Sequence, residues 1–190
     1  MEANGVTTGQ KSTSGLKSNA QSHKKNPLMS KSTPLPVQIT IDTNVINAKG
    51  RLLAMNKIME WHASHRVLVS YTREPLEDEI TMGSPQWFKT AAYLNQNLHA
   101  DDPQFLLRAK KLREMMFPTT ASLNVRQNRD IEHLVGAIHH ANDFFLTNDE
   151  DFLRCAQEIY GEFDIEVMTP EDFVERYGKE IDGGALRILM

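Results

Sequence analysis

The apolar residues of this chain become periodic only beyond residue 36. The segment Val-Gln-Ile-Thr-Ile at 37–41 alternates apolar and polar positions, which is typical of a half-buried strand. Short runs at 66–70, 144–147 and 165–168 are mostly apolar and rich in β-branched or aromatic residues, which favours strands there as well. The pattern therefore predicts a series of short, buried strands.

Helical spacing of apolar residues fills the intervals between these strands. It predicts helices over 51–63, directly after Thr72, over 86–98, 103–116, 130–141 and 151–160, and from Pro170 onward. Strands that alternate with helices favour a parallel sheet with helices on both faces. We therefore predict an α/β fold for residues 37–190: a three-layer α-β-α domain with a central parallel sheet of four to five strands.

The segment 1–36 differs from the rest in composition and in charge. It is rich in Ser, Thr, Lys, Gln, Asn and Gly and lacks periodic apolar residues, so it buries too little to offset its ordering entropy. We predict a disordered tail, either a solvated extension or a basic arm for RNA or a partner. Its five Lys and one Glu give +4, whereas the remainder has 16 basic and 24 acidic residues and hence −8. An acidic body is not the usual footprint of a nucleic-acid-binding protein, unless its acids hold cations.

The cysteine content and the lengths of the apolar runs indicate the cellular compartment. Cys155 is the one cysteine of the chain, which excludes a disulfide framework or a zinc site of several cysteines and fits a reducing compartment. No run of 18 apolar residues and no secretory signal is recognisable. We therefore expect a cytoplasmic protein with no membrane span.

Acidic residues follow two of the predicted strands. Asp42 comes directly after the first strand, and Asp149 lies two residues beyond the run that ends at Thr147. Ligands of parallel sheets bind outside the carboxyl ends of the strands, so we expect these two carboxylates at one edge. Asp130 at the start of a predicted helix and Glu77 in the helix after the second strand are further candidates. Carboxylates that converge repel one another, and Mg²⁺ or Mn²⁺, which prefers oxygen ligands, would neutralise them.

Three segments carry a resemblance to a known family. Ile-Thr-Ile-Asp-Thr-Asn-Val-Ile at 39–46 resembles the opening strand of the PIN-domain nucleases. The stretch 130–149 is similar to the family's second half, in which an Asp and a helix of small apolar residues precede an aromatic strand and Thr-x-Asp. Residues 163–173 resemble the family's last strand and closing helix. The resemblance covers about residues 37–177.

The resemblance implies a metal-dependent ribonuclease, commonly the toxin of a bacterial toxin–antitoxin pair. Asp42, Asp130 and Asp149 match three of the family's catalytic, metal-binding acids, with Mg²⁺ or Mn²⁺ as the cofactor. Glu77 is our choice for the fourth catalytic acid, although Glu74 and Glu79 compete with it because Pro75 disturbs the spacing. Three polar positions that orient the acids or a water in the family are matched by Thr43, Asn44 and Thr147.

The function predicted from the sequence is hydrolysis of phosphodiester bonds in single-stranded RNA by a water that the metal activates. The partners expected are the RNA substrate and an antitoxin, and helices 51–63 and 86–116 could pair two protomers. A non-catalytic RNA-binding or partner-binding module with the same fold is the alternative. A phosphoacceptor receiver domain would need a pair of acids after the first strand and a Lys after the last, but Asp42 stands alone and Thr169-Pro170 replaces the Lys. A haloacid-dehalogenase-type phosphatase would need a second Asp two residues after Asp42, and Asn44 occupies that position.

A purely structural role is the alternative to the functional role of each of the three aspartates. Asp42 could start a turn, Asp130 could favour a helix start through its charge, and Asp149 could cap a helix. Arg126 and Arg129 could contact phosphate or be ordinary surface charges. Beside Asp130, His133 fits packing or hydrogen bonding better than zinc binding, since a single cysteine excludes a zinc site of several cysteines.

Overall fold

A computed structural model of the chain describes residues 36–46, 52–73, 94–97 and 101–184. The predicted tail up to residue 35 and the helix predicted directly after Thr72 lie outside the described residues, apart from Arg73 at that helix's start. The same holds for the fourth acid, whether it is Glu74, Glu77 or Glu79.

The strands of the described residues form one parallel sheet in the order β3-β2-β1-β4-β5. They are β1 (Val37–Ile41), β2 (Val67–Thr72), β3 (Leu94–Gln96), β4 (Phe144–Leu146) and β5 (Glu166–Met168). In the central strand Ile39 is in register with Val69 of β2 and with Phe144 of β4. The chain builds β2 and β3 on one side of β1 and then returns to build β4 and β5 on the other. The carboxyl ends of β1 and β4 therefore flank the point where strand order reverses, at which α/β sheets bind ligands.

The helices of the described residues are α1 (Thr43–Ile46), α2 (Leu53–Ala63), α3 (Pro103–Met116), α4 (Val125–His139), α5 (Glu150–Arg154), α6 (Ala156–Phe163) and α7 (Pro170–Asp182). Side-chain caps explain why several begin where they do. The carboxylate of Asp102 accepts from the amide of Gln104 ahead of α3, and Pro103 occupies the first turn, where its missing N–H costs nothing. Thr169 and Pro170 begin α7 in the same way. None of the described helices combines the length and apolar character that crossing a membrane requires.

Two hydrophobic clusters lie on opposite faces of the sheet. Helices α2 and α7 pack on one face, where Trp61 and Phe173 meet edge to face with ring centroids 6.3 Å apart. Helices α3, α4 and α6 contribute to the cluster on the other face. Successive residues of β4 point to opposite faces, so Phe144 belongs to the first cluster and Phe145 to the second. The predicted three-layer α-β-α architecture with a parallel sheet is therefore confirmed.

Three predicted elements differ from the observed ones. The helix predicted over 86–98 is wrong at 94–96, where the chain forms edge strand β3 beside β2. The helix predicted to begin at Asp130 begins at Val125, because Asn124 and Gln127 form a reciprocal capping box. Asp130 thus lies in the second turn of α4, and its alternative role at a helix start is wrong. The helix predicted over 151–160 is divided at Cys155 into α5 and α6.

Candidate active site

Asp42 lies at the carboxyl end of β1 and is 4% exposed. Its amide donates to the carbonyl of Leu146 at 3.0 Å, which extends the pairing of β1 with β4 by one residue. Its Oδ1 accepts the amide of Thr43 at 2.7 Å, and its Oδ2 accepts the hydroxyl of Thr147 at 2.7 Å. Hydrogen bonds to an ionised acceptor are among the strong ones, so the orientation of this carboxylate is fixed.

Thr147 connects Asp42 with Asp149. The Thr147 side chain is fully buried just beyond β4, and its amide donates to the carbonyl of Met168 in β5. While its hydroxyl donates to Asp42, its oxygen accepts the amide of Asp149 at 2.9 Å. One threonine therefore joins the two acids that follow neighbouring strands.

Asp149 has a structural role as well as its place at the sheet edge. Its Oδ1 accepts the amide of Asp151 at 2.9 Å and so caps α5. The capping role named as the alternative for Asp149 is thus confirmed. It uses Oδ1 and leaves Oδ2 able to contact another group. The cap holds the carboxylate in one position relative to Thr147 and Asp42.

The other polar residues named from the sequence gather around the same edge. The side chain of Asn44 donates to Thr147 Oγ1 at 3.4 Å and accepts the amide of Asn148 at 3.2 Å. The hydroxyl of Thr43 lies 3.2 Å from Nε2 of His133, which is fully buried in α4. These contacts tie α1 to the turn after β4 and to α4.

Helix α4 brings a third acid and a basic residue to this edge. Half-buried Asp130 lies one turn beyond Arg126 on the helix. Nη2 of Arg126 lies 2.9 Å from Oδ2 of Asp149, and the pKa of Arg126 is raised by the negative charges of Asp130, Asp149 and Asp42, with Asp130 contributing most. All three sequence-predicted aspartates therefore act on a single guanidinium. Glu77, the predicted fourth acid, lies outside the described residues.

The carboxylate oxygens at this edge suit a hard divalent cation. Carboxylate oxygens each keep a second lone pair after accepting one hydrogen bond. The attraction of three acids for Arg126 also marks the edge as favourable for positive charge. Within the described ranges no three His, Cys, Asp or Glu side chains are arranged to enclose a metal ion. Mg²⁺ usually takes one or two carboxylates and completes its shell with waters and substrate phosphates, so such a protein cage is not required.

The ion pair between Arg126 and Asp149 is the feature that the sequence reasoning missed. The position of Arg126 could have been predicted. Asn124 and Gln127 form a capping-box pattern, which would have placed Arg126 one turn from Asp130 on the same face of α4. Its meeting with Asp149 depends on packing between elements and has no local signal.

Neither the models of known protein families nor the curated proteins contain a match to this chain. The resemblance to PIN-domain nucleases therefore stays a prediction.

Proposed function

We propose that this chain is an endoribonuclease that uses Mg²⁺ or Mn²⁺ to hydrolyse phosphodiester bonds in single-stranded RNA. The observation that carries the proposal is the link from Asp42 through Thr147 to Asp149 at the point where strand order reverses. Two acids fixed by hydrogen bonds at such an edge form a typical ligand site of an α/β sheet. Asp130, on the helix packed beside them, adds a third carboxylate.

Each residue then has a definite task. Asp42 and Asp149 would bind the cation, and Asp130 would bind it directly or through water. A bound divalent cation supplies charge neutralisation at the phosphodiester and activation of a water. Thr147 holds the two ligands at a fixed separation, and Asn44 holds the turn that carries Asn148 and Asp149.

The charge of the chain also supports a role for a cation. Residues 37–190 carry 16 basic and 24 acidic residues, and a net charge of −8 opposes the approach of a phosphate backbone. At this edge the side chain of Arg126 is 76% exposed and that of Asp149 is 13% exposed. A cation at this edge would make the local charge favourable for RNA.

A second candidate function is a non-catalytic module that binds RNA or a partner protein through the same fold. The ion pair from Arg126 to Asp149 favours it, because a guanidinium neutralises part of the acid charge without any metal. The antitoxin and the homodimer expected from the sequence stay predictions.

The test compares Mn²⁺-dependent cleavage of a labelled single-stranded RNA by the parent, Asp42→Asn and Asp149→Asn. We expect each variant to lose at least about 100-fold in rate, which is typical of removing a group that supports the developing charge. Asp42→Asn should stay folded, because it keeps the shape of the side chain and removes one of the like charges that repel one another at this edge. Thermal unfolding verifies that point.

The matched control is Asp143→Asn, the same substitution at the opposite end of β4. Oδ2 of Asp143 accepts the amide of Gln38 at 2.8 Å, at the amino ends of the strands. Cleavage by this variant should equal that of the parent. If Asp42→Asn cleaves as fast as the parent, the proposal is wrong. If RNA binds equally to all chains and no chain cleaves it with Mn²⁺, the non-catalytic module is the correct function.

A further inference from the structure

The guanidinium of Arg126 contacts the very carboxylate edge that the proposed function assigns to a cation. Its Nη2 lies 2.9 Å from Oδ2 of Asp149. We propose that Arg126 is the internal counter-ion of this edge in the metal-free protein, and that Mg²⁺ or Mn²⁺ displaces it from Asp149 on binding. The inference rests on the proposed function for the identity of the displacing ion.

The two oxygens of Asp149 differ in how easily their partners can leave. Oδ1 accepts the backbone amide of Asp151, and losing this bond would remove the cap of α5. Oδ2 is paired with Arg126, whose side chain is 76% exposed and can swing into solvent without disturbing the core. A cation that coordinates Asp149 directly would therefore replace Arg126 at Oδ2 and leave the cap intact.

The charges at this edge favour the replacement of Arg126 by a divalent metal ion. The guanidinium of Arg126 is charged throughout the pH range of these measurements, as arginine side chains in proteins are. The negative charges of Asp130, Asp149 and Asp42 favour this charged form and raise the pKa of Arg126. Negative charge thus holds Arg126 at the edge when no metal is bound. A divalent ion carries twice the charge in a smaller volume and would both outcompete the guanidinium and repel it.

The chain contains a closely matched ion pair near this edge whose carboxylate is not one of the three acids. Nη2 of Arg154 lies 2.9 Å from Oδ1 of Asp151, and the Arg154 side chain is 61% exposed. This pair has the same charges and the same separation as the Arg126 pair, but both of its partners belong to helix α5, and Arg154 does not pair with Asp149. Arg154→Gln therefore controls for the loss of one positive charge and of one exposed ion pair.

The first measurement is Mn²⁺ affinity by calorimetric titration of the full chain in the absence of RNA. We expect Arg126→Gln to bind Mn²⁺ about two- to fivefold more tightly than the parent, the range that loss of a competing exposed ion pair allows. Arg154→Gln should bind like the parent. The gain should shrink at high salt, because screening weakens exposed pairs.

The second measurement needs no metal. In EDTA, Arg126→Gln should melt at a lower temperature than Arg154→Gln, because the carboxylates at the edge repel one another when the guanidinium is absent. Adding Asp149→Asn to Arg126→Gln should recover part of the loss, since one of the repelling charges is removed. Such a recovery identifies Arg126 as a counter-ion of the acids.

The outcomes separate the two proposals. If Mn²⁺ binds the parent and Arg126→Gln with equal affinity, the displacement is wrong and the proposed function stands. If Arg126→Gln weakens RNA binding at unchanged Mn²⁺ affinity, Arg126 is a phosphate contact and the inference is also wrong. If Mn²⁺ binds none of the chains, the proposed function fails and displacement fails with it. The melts in EDTA then still decide whether Arg126 is the counter-ion: equal melting of Arg126→Gln and Arg154→Gln overturns that role.

Discussion

Gly136 in α4 lies so close to Thr72 at the end of β2 that a Cβ on Gly136 would lie 2.4 Å from Thr72 Oγ1 and 2.7 Å from its Cγ2. The Thr72 side chain is fully buried, and its hydroxyl donates to the carbonyl of His133 in α4 at 3.2 Å. The contact sets how closely α4 approaches the sheet. It thereby sets the position of Asp130 and Arg126 relative to the strand ends.

We expect Gly136→Ala to destabilise the protein by about 1–3 kcal/mol, because the added methyl has to displace buried Thr72 or lift α4 from the sheet. Urea unfolding in EDTA measures the change. Gly161→Ala is the matched control: its Cβ would meet no atom within 4 Å, and in a helix Ala should be more stable than Gly by about 0.5–1 kcal/mol. Equal changes in both variants would show that the close approach at Gly136 does not constrain α4.

Asp182 at the end of α7 anchors that helix to α2. It accepts the indole N–H of Trp61 at 2.8 Å, and it pairs with Arg66 at 3.0 Å and with Lys57 at 3.4 Å. These contacts lower the pKa of Asp182, the hydrogen bond from Trp61 first and the charges of Lys57 and Arg66 after it. The carboxylate is thus favoured in the folded state over the unfolded one.

The direction of this pKa shift predicts a pH dependence. Because the folded pKa lies below the unfolded one, Asp182 stabilises the fold above the unfolded pKa of about 4, and this stabilisation is lost as pH falls through the folded pKa. The melting temperature of the parent should therefore exceed that of Asp182→Asn near neutral pH, and the difference should vanish in acid. A difference that stays constant between pH 7 and pH 2 would contradict this. In Trp61→Phe, NMR should show a higher Asp182 pKa than in the parent.

The elements that the sequence predicted best are those with strong local signals. Strand β1 alternates β-branched and polar residues and was predicted with its observed bounds, Val37–Ile41. Helix α3 was also predicted with its bounds, Pro103–Met116, since apolar spacing defines its body. Local propensity and the final fold agree in both segments.

Strand β3 was missed because nothing local specifies it. Its sequence, Leu-Asn-Gln at 94–96, contains no β-branched residue, and its neighbourhood has helical spacing. The strand is defined by pairing with β2 and by two hydrogen bonds between the side chains of Gln96 and Asn142, 46 residues apart. Tertiary contacts of this kind override propensity.

In the candidate site too, some positions could be predicted from the sequence and others could not. The places of Asp42 and Asp149 follow from the strand ends and the parallel order, both of which the sequence predicted. The supporting places of Thr43, Asn44 and Thr147 came from the family resemblance alone. The meeting of Arg126 with Asp149 joins residues 23 positions apart, one in the first turn of α4 and the other beyond β4, and it depends on how α4 lies on the sheet.

The Thr147 hydroxyl is the most testable part of the site. It donates to Asp42 Oδ2 and accepts the amide of Asp149, in a position without solvent exposure. Thr147→Val keeps the shape of the side chain and removes these bonds. Thr147→Ser keeps the hydroxyl and removes one methyl group.

We expect Thr147→Val to lose about 1–3 kcal/mol of unfolding free energy in EDTA, because a buried carboxylate oxygen and a backbone N–H lose their partner. Its Mn²⁺ affinity should fall by about 10- to 100-fold, as is usual when a residue that orients a metal ligand is removed. Thr147→Ser should lose only about 1 kcal/mol, the value of one buried methyl group, and should bind Mn²⁺ like the parent. Denaturant unfolding and Mn²⁺ titration of the three chains give both quantities. If the Ser variant loses as much Mn²⁺ affinity as the Val variant, the packing of the methyl group positions Asp42, and the hydroxyl does not.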